Sequence, residues 1–495
     1  MPDSWANSAP EKFSALGTDL HLELTGSGLR AGLTDALREA VRTGRLASGT
    51  RLPSSRSLAA DLGIARNTVA DAYAELVAEG WLTAQQGSGT RVALRSQPRR
   101  SVPNAPSTAP AQHRPTYNRY NLLPGSPDLA EFPRKQWLTA ARRALTTAPN
   151  EAFGYGDSRG RKELRIVIAD YLARVRGVYA TPERIVICAG FHHGLMLIGQ
   201  VLKARRARAV AVESYGLDIY RDVLTSAGLR TPTISVDERG ARTDALQRLP
   251  GISAVLLTPA HQYPTGVALH PDRRAAFVDW ARASGGLILE DDYDGEFRYD
   301  RQPVGALQGL DPERVVYFGS VSKSLAPGLR LGWMVLPEEL VSQVAAAKGH
   351  GDYMSSAIEQ LTLAQFIASG AYERHVRSMR LHYRRRRDQL VTTLAERAPG
   401  IRVTGLAAGL QAVLELPRGT ELAVVQAAAQ RGLAVSGMAE FHYDLTDPGA
   451  QPPEQDGLVV NYAAPSESAW AGALDVLCRS LTLPRGRSRV VPPTS

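Results

Sequence analysis

Between Arg95 and Tyr120 the chain reads RSQPRRSVPNAPSTAPAQHRPTYNRY, rich in Pro, Ser, Ala and Arg and without a period near 3.6 or 2.0. Such a stretch cannot bury enough apolar surface to fold, so it reads as a linker. The 495 residues therefore do not form one continuous core. They divide into a small unit at 21–94, preceded by a flexible start at 1–20, and a large unit at 121–482, followed by a disordered tail at 483–495.

Several classes fall away at once. No apolar run approaches the ~18 residues of a membrane-spanning helix. The first 30 residues lack the charged-then-apolar pattern of a secretory leader, so a cytoplasmic protein with no membrane partner is expected. Two cysteines, Cys188 and Cys478, are too few for a disulfide framework or a cysteine zinc site. A net charge of +9 is compatible with a polyanionic partner without requiring one. The charge is unevenly placed: residues 42–100 hold nine arginines and four acids, which points to the small unit and the start of the linker. The denser run Arg384–Arg387 falls in a helical stretch and is expected on a solvated face.

In the small unit, Leu29, Leu33, Leu37 and Val41 recur every four residues and make one helix face. Gly44, Gly49 and Pro53 break the pattern. Ser54 or Ser55 caps a second helix, RSLAADL, which Gly63 ends. A third helix follows in IARNTVADAYAELVAEG, with Val69, Tyr73 and Leu76 as its buried stripe and Gly80 as its stop. Residues 81–92 read as a short hairpin with a glycine tip around Ser88. This order predicts a winged helix-turn-helix, an α+β fold. Arg66, Asn67 and Thr68 open the third helix, where recognition residues reach base edges. Arg bonds guanine bidentately and Asn bonds adenine. Arg56, with Ser88 and the amides of the glycine tip, would hold phosphates and set the register. A small helical domain whose arginines are merely solvated fits the same pattern.

Four segments of the large unit carry chemistry. LILEDDYDGEF is a buried strand, Leu287 to Leu289, with acids at its carboxyl end. VYFGSVSKSLAPGLRLGW is a strand, Val315 to Phe318, entering a loop with one lysine. TPAHQYPTG follows the strand AVLL, and VICAGFHHGL is a strand leading into a glycine-led helix start. In an open α/β sheet, ligands bind at the carboxyl ends of the strands. The residues suit pyridoxal phosphate. Lys323 is the amine for its aldehyde, Asp291 the carboxylate for its pyridine nitrogen, and Tyr293 the donor for its O3′. The amides of Phe191 and His192, the hydroxyl of Ser320 and the fork of Arg330 suit its phosphate. Taken singly, DDYD also fits a surface turn or a divalent-cation loop. No metal site is expected from His192 and His193, because adjacent side chains point apart.

RLPSSRSLAADLGIARNTVADAYAELVAEGWL resembles the GntR-family winged helix, with Ala65 where serine is usual. EDDYDGEF, GSVSKSLAPGLRLGW and TPAHQYPTG resemble the fold type I aminotransferases as they occur fused to that winged helix in the MocR family of transcription regulators. The resemblance implies an α/β pyridoxal-phosphate domain, with a Schiff-base lysine at Lys323 and a nitrogen partner at Asp291. It further implies Tyr293 at O3′, Ser320 and Arg330 at the phosphate, and His261 in the loop beside the cofactor. It implies a homodimer, possible exchange of elements between its subunits, and Tyr155 offered to the neighbouring subunit's phosphate.

Two departures bear on activity. Where aminotransferases end with an arginine that grips the substrate carboxylate, this chain has LVVNY, with Val459 at that site. Where the regulators usually show EDPxY-x-R, it has ESYGLDI, with Ile219 at the arginine position and Tyr215 free to stack on the ring. Without these clamps productive transamination should be poor. The expected function is a DNA-binding regulator with pyridoxal phosphate, alone or with a small amine or amino acid, as effector. Vitamin B6 or amino-acid metabolism genes are its expected targets. The alternatives are an active aminotransferase with an accessory DNA-binding domain, and a structural nucleic-acid-binding protein with an inert α/β domain.

Overall fold

The computed structural model describes residues 28–85, 89–94, 118–299, 304–351, 355–444 and 456–482. Ser88 and most of the expected linker, start and tail lie outside these residues. The chain separates into two compact units, each considered by itself.

The first unit is three helices and a hairpin: α1 (Leu29–Arg42), α2 (Ser55–Leu62), α3 (Arg66–Ala78), β1 (Leu82–Gln85) and β2 (Gly89–Val92). Ser54 caps α2 by accepting from the Ser57 amide, and Gly63 ends it at φ 65°. Such a cap is worth about 1 kcal/mol. Leu33, Leu37, Val41, Val69, Tyr73 and Leu76 are buried in one cluster with Leu82 and Val92, whereas Leu29, expected to open the first stripe, is exposed at the helix start. The Tyr73 hydroxyl donates to the Pro53 carbonyl at 3.0 Å and fixes the turn ahead of α2. β1 and β2 pair antiparallel from Leu82–Val92 to Gln85–Gly89.

The second unit opens with β3 (Tyr120–Asn121), so Tyr120, assigned to the linker from sequence, is already folded chain. The helices α4 (Arg134–Thr147) and α5 (Lys162–Arg176) come next. The strands are then β4 (Ile185–Cys188), β5 (Ala209–Glu213), β6 (Thr233–Ile234), the small hairpin β7 (Val236–Asp237) and β8 (Gly240–Ala241), β9 (Ile252–Leu257), β10 (Leu287–Asp291), β11 (Val315–Ser320) and β12 (Gly332–Val335). Seven of them form one sheet in the order β4-β12-β11-β10-β9-β5-β6. All its pairings are parallel except those of β12, which runs antiparallel to β4 and β11. The strands are buried on both faces and accordingly read as runs of Val, Ile, Leu and Ala rather than alternating. α6 (Phe191–Ala204) and α7 (Asp218–Ser226) follow β4 and β5.

A smaller sheet, β13-β14-β17-β16, joins β13 (Arg402–Thr404), β14 (Gln411–Leu416), β16 (Ser436–Gly437) and β17 (Asp456–Asn461). Between β14 and β16, β15 (Leu433–Ala434) pairs with β3. The long helix Ala371–Arg397 packs beside this sheet and corrects one expectation. Arg384 and Arg385 are exposed, but Arg386 is 2% exposed. Its guanidinium donates to the carbonyl of Pro465 at 2.6 Å and to Asp128 and Glu467 at 3.2 and 3.1 Å. One of four consecutive arginines turns inward because a helix aims only part of such a run outward.

Candidate cofactor and nucleic-acid sites

Five of the parallel strands release their chains at the same edge of the large sheet. The ends are Cys188, Glu213, Leu257, Asp291 and Ser320. A cavity lies at this edge, lined by Asp291, Tyr293 and Lys323 together with Tyr215, Glu213 and Arg221. The lysine loop and the acidic segment, 32 positions apart in sequence, meet because β10 and β11 are neighbours in register, Asp291 beside Phe318.

Lys323 sits in the loop after β11, its Nζ donating to the Gly125 carbonyl at 2.7 Å. Burial lowers its pKa, with Asp291 and Asp294 pulling the other way. Asp291 ends β10 inside the fold rather than beyond the strand. Burial pushes its pKa well above the carboxylate range, and Lys323 opposes the shift. A buried carboxyl that faces an open cavity in this way gains most from a cationic ring nitrogen placed against it. Tyr293 shares the cavity wall, and its hydroxyl lies 3.1 Å from His261 Nδ1. His261 also bonds Asp294 through Nδ1, at 2.8 Å. His261 is 3% exposed, so it braces the Tyr293 loop from behind.

The phosphate candidates meet next to this wall. Ser320 pairs with Gly332, and Gly332 with Cys188, so antiparallel β12 draws the end of β11 to the start of α6. Gly190 is the N-cap of α6 at φ 85°, with no side chain capping the helix. The first amides of α6, those of Phe191 and His192, therefore keep free N–H groups. A Cβ on Gly190 would lie 3.4 Å from Nη1 of Arg330, so the guanidinium stands directly over the helix start. Arg330 itself has φ 52°, a strained value for a side-chain-bearing residue, at the end of the Pro327–Leu329 turn. Free amides, a hydroxyl and a guanidinium around a space that glycine keeps open fit a phosphate. The adjoining Lys323–Asp291–Tyr293 wall fits an aldehyde-bearing pyridine. The residues present thus suit pyridoxal phosphate.

Tyr215 lines the cavity and stacks edge-on with His442, their ring centroids 5.1 Å apart. Tyr155 is 91% exposed and Ile219 51%. Val459 is fully buried within β17, packed with Val413, Met438 and Phe441 and against Tyr215. The cavity is nevertheless not without an arginine, and this revises the sequence reading. Arg221, on the first turn of α7, lines it. Linear spacing placed Ile219 at the anticipated position, and only the helical turn beginning at Asp218 shows that the residue two places on faces inward. The signal missed was the recurrence from Glu213 to Arg221 across a strand end and a helix start.

Beneath the wall lies a buried charge cluster. Arg176 is held by Asp292 at 2.7 and 3.1 Å and by the carbonyls of Gly295 and Val304. Tyr317 donates to the same Asp292. Burial, reinforced by Asp292, pushes Glu290 and Glu296 up to about 7. A carboxyl with a raised folded pKa contributes fully below its unfolded value of 4.5, and that contribution is lost as pH rises toward 7. Glu296→Gln should therefore become more stable relative to the wild type between pH 5 and 8, by on the order of 1 kcal/mol. Thermal melts of the two proteins across that range check it, and a pH-independent difference would contradict it.

In the first unit, Arg66 and Asn67 are exposed at the start of α3, Thr68 is half-buried beside them, and Arg56 is exposed on α2. No side chain caps α3 and no acid occupies its first turn, so no carboxylate offsets the positive end of its dipole. Arg42 is paired with Glu39 and Arg38 with Glu79, which removes those cations from a DNA face. Arg51, bridging to Arg91 at the base of the hairpin, is an exposed cation that the sequence reading counted only as charge.

Comparison with known proteins sorts the same two units. The family of class I and II aminotransferases matches residues 121–469, and the bacterial regulatory proteins of the gntR family match residues 29–92. The HTH-type pyridoxine biosynthesis transcriptional regulator PdxR of Corynebacterium glutamicum is 35% identical over 420 residues, covering 83% of this chain and 88% of that protein. The probable rhizopine catabolism regulatory protein MocR of Rhizobium meliloti is 31% identical over 450 residues, covering 87% and 89%. Among solved structures, an archaeal alanine:glyoxylate aminotransferase superposes with a TM-score of 0.66 at 25% identity, over 73% of this chain and 90% of that one.

Proposed function

Since the chain belongs to the MocR-type transcription regulators, a gntR-family winged helix joined to an aminotransferase class I and II domain, we propose that pyridoxal phosphate bound at Lys323 is the signal its DNA-binding unit answers to. One observation carries this reading: Lys323, Asp291 and Tyr293 line a single cavity beside the α6–Ser320–Arg330 cradle. Bound there, pyridoxal phosphate would supply an aldehyde conjugated to an electron-withdrawing ring. The chain's own residues do the rest. Lys323, lowered by burial, presents a nucleophilic amine. With the cofactor bound, Asp291 would face the ring nitrogen, Tyr293 would donate to the ring oxygen, and the α6–Ser320–Arg330 cradle would hold the phosphate end.

The lining of the site supports a sensor over an enzyme. A sensor needs only that the ligand binds two conformations unequally, whereas turnover needs a second molecule held in a reacting pose. Val459, read from sequence as standing where aminotransferases grip the substrate carboxylate, is buried among apolar neighbours, which supports weak turnover. The reading is therefore a regulator with little amino transfer, and regulation of vitamin B6 genes accords with the PdxR relative. The test is operator titration with and without pyridoxal phosphate. A shifted affinity with negligible amino transfer supports the proposal. An unshifted affinity alongside ordinary turnover supports the alternative, an active aminotransferase.

The partners follow from the same arrangement. Exposed Leu138, Phe153 and Tyr155 suit a twofold dimer interface. Paired winged helices then read half-sites about 34 Å, or a multiple of that, apart. Arg66→Ala should cost about 1–3 kcal/mol and relax preference at one guanine. A loss equal across all sequences would instead assign Arg66 to a phosphate. Binding should also weaken steeply with salt.

A further inference from the structure

We propose that the outward face of the long helix Ala371–Arg397 is a second DNA-contacting surface, one that holds the phosphate backbone of duplex flanking the bases read by the winged helix. The helix carries eight arginines against three acids, an excess of five where the whole chain has an excess of nine. Its arginines divide by direction. Arg386 is buried, and Arg380 donates from Nε to the Glu296 carbonyl at 2.9 Å. Arg374, Arg377, Arg384 and Arg385 are exposed. With Leu381 and Asp388 they recur at intervals of three and four, so they share one face. At 1.5 Å per residue the four arginines span about 16 Å of helix.

Acids do not hold these four. Arg384 has only Asp388, 3.9 Å from its Nε, and Arg374 donates to the carbonyl of Ser369 at 3.1 Å. Among the described residues no acid pairs with Arg377 or Arg385. The ends of the helix differ: Glu373 is taken by Arg174 at 2.7 Å, and Arg397 by Asp475 at 2.8 Å. Along the middle, Arg374, Arg377, Arg380 and Arg384 follow one another at three and four residues, a spacing at which like charges destabilise a helix. A polyanion lying along the face removes that cost. Charge alone would admit an acidic protein as well as DNA, but the makeup of the face favours DNA. A protein interface is centred on an apolar, aromatic-rich patch. Here Leu381 is the one exposed apolar side chain within the arginine span, and both tyrosines of the helix, Tyr372 and Tyr383, are buried. A phosphate backbone asks for cations alone, and a guanidinium grips phosphate in two places. Once the first unit is bound, duplex is present at high local concentration. The ordinary reading is that these arginines are merely solvated.

The experiment compares the full chain with a variant carrying Arg374→Gln, Arg377→Gln, Arg384→Gln and Arg385→Gln, and with one carrying Lys at the same four positions. Glutamine keeps the helix propensity and lysine keeps the charge. Each protein is titrated across a range of salt against two duplexes, one trimmed to the bases the winged helix reads and one extended by about 30 random base pairs on each side. On the extended duplex the glutamine variant should bind at least about tenfold more weakly at low salt. Its plot of log affinity against log salt should be shallower by about 2–4, since each phosphate contact contributes about 0.9. The lysine variant should stay within about threefold of the wild type, and on the trimmed duplex all three should agree within about twofold. The glutamine variant should melt no lower than the wild type, because removing like charges relieves the helix. Equal affinities and slopes of wild type and glutamine variant on the extended duplex would overturn the proposal. So would a loss of equal size on both duplexes. Equal DNA binding with weaker binding of the glutamine variant to poly-L-glutamate would overturn it too, and assign the face to an acidic protein. A wild type that ignores the trimmed duplex would fault the winged helix instead, and binding of both proteins to random duplex would still decide the role of the long helix.

Discussion

Lys323→Ala is expected to abolish covalent retention of pyridoxal phosphate and, with it, the response of DNA affinity to the cofactor. The wild type should lose its cofactor slowly on dialysis, and borohydride should fix the label to Lys323. The variant should release the cofactor quickly, because only the cradle of α6, Ser320 and Arg330 still holds it. Coupling between two sites is typically about 5- to 150-fold in affinity. Operator titrations should show a shift in that range for the wild type and less than about twofold for Lys323→Ala. Melting of the first unit should be unchanged, since its core of Leu37, Val69 and Leu76 is its own. If the variant retains the full cofactor response, occupancy of the cavity is sensed without the amine.

The largest loss of stability is expected from Arg176→Met. Arg176 and Asp292 are 4% and 2% exposed in their side chains, and the pair lies directly under the strand that presents Asp291. Removing one partner of a buried pair leaves an uncompensated charge and typically costs about 3–5 kcal/mol. Here the abandoned carboxylate would sit between Glu290 and Glu296, both already pushed up by burial. At about 2 °C per kcal/mol for a unit this large, the second thermal transition should fall by roughly 6–10 °C. Cofactor affinity should fall with it as the loop from Asp292 to Phe297 loosens. Arg176→Met with Asp292→Asn should recover part of the loss, because the amide is neutral and still accepts from Tyr317. A single variant melting within about 2 °C of the wild type would mean that the pair matters little to stability.

The parts of this protein legible from sequence were those written in short, local patterns. The four-residue recurrence of Leu29, Leu33, Leu37 and Val41 gave a helix with the observed ends, because an amphipathic stripe and a glycine break are both local facts. Lys323 and Asp291 were legible because one follows and the other ends a hydrophobic strand, and strand ends gather ligands in this class of sheet. What depended on three-dimensional packing was not legible. Arg221 needed the first turn of α7 to bring it round to the cavity. Arg386 looked solvated among its neighbours until the carbonyls of Tyr462 and Pro465, nearly eighty residues away, came to meet it. The ion pair of Arg176 with Asp292 joins residues 116 apart and leaves no trace in spacing.

The carbonyl that accepts from Lys323 belongs to Gly125, five residues past the strand start at Tyr120. Asn461 holds the backbone on both sides of Gly125, donating to the carbonyls of Leu123 and Ser126. Once the lysine nitrogen is spent on another bond, that contact cannot persist unchanged. The release falls within a few peptide units of Tyr120, where the first strand of the second unit begins.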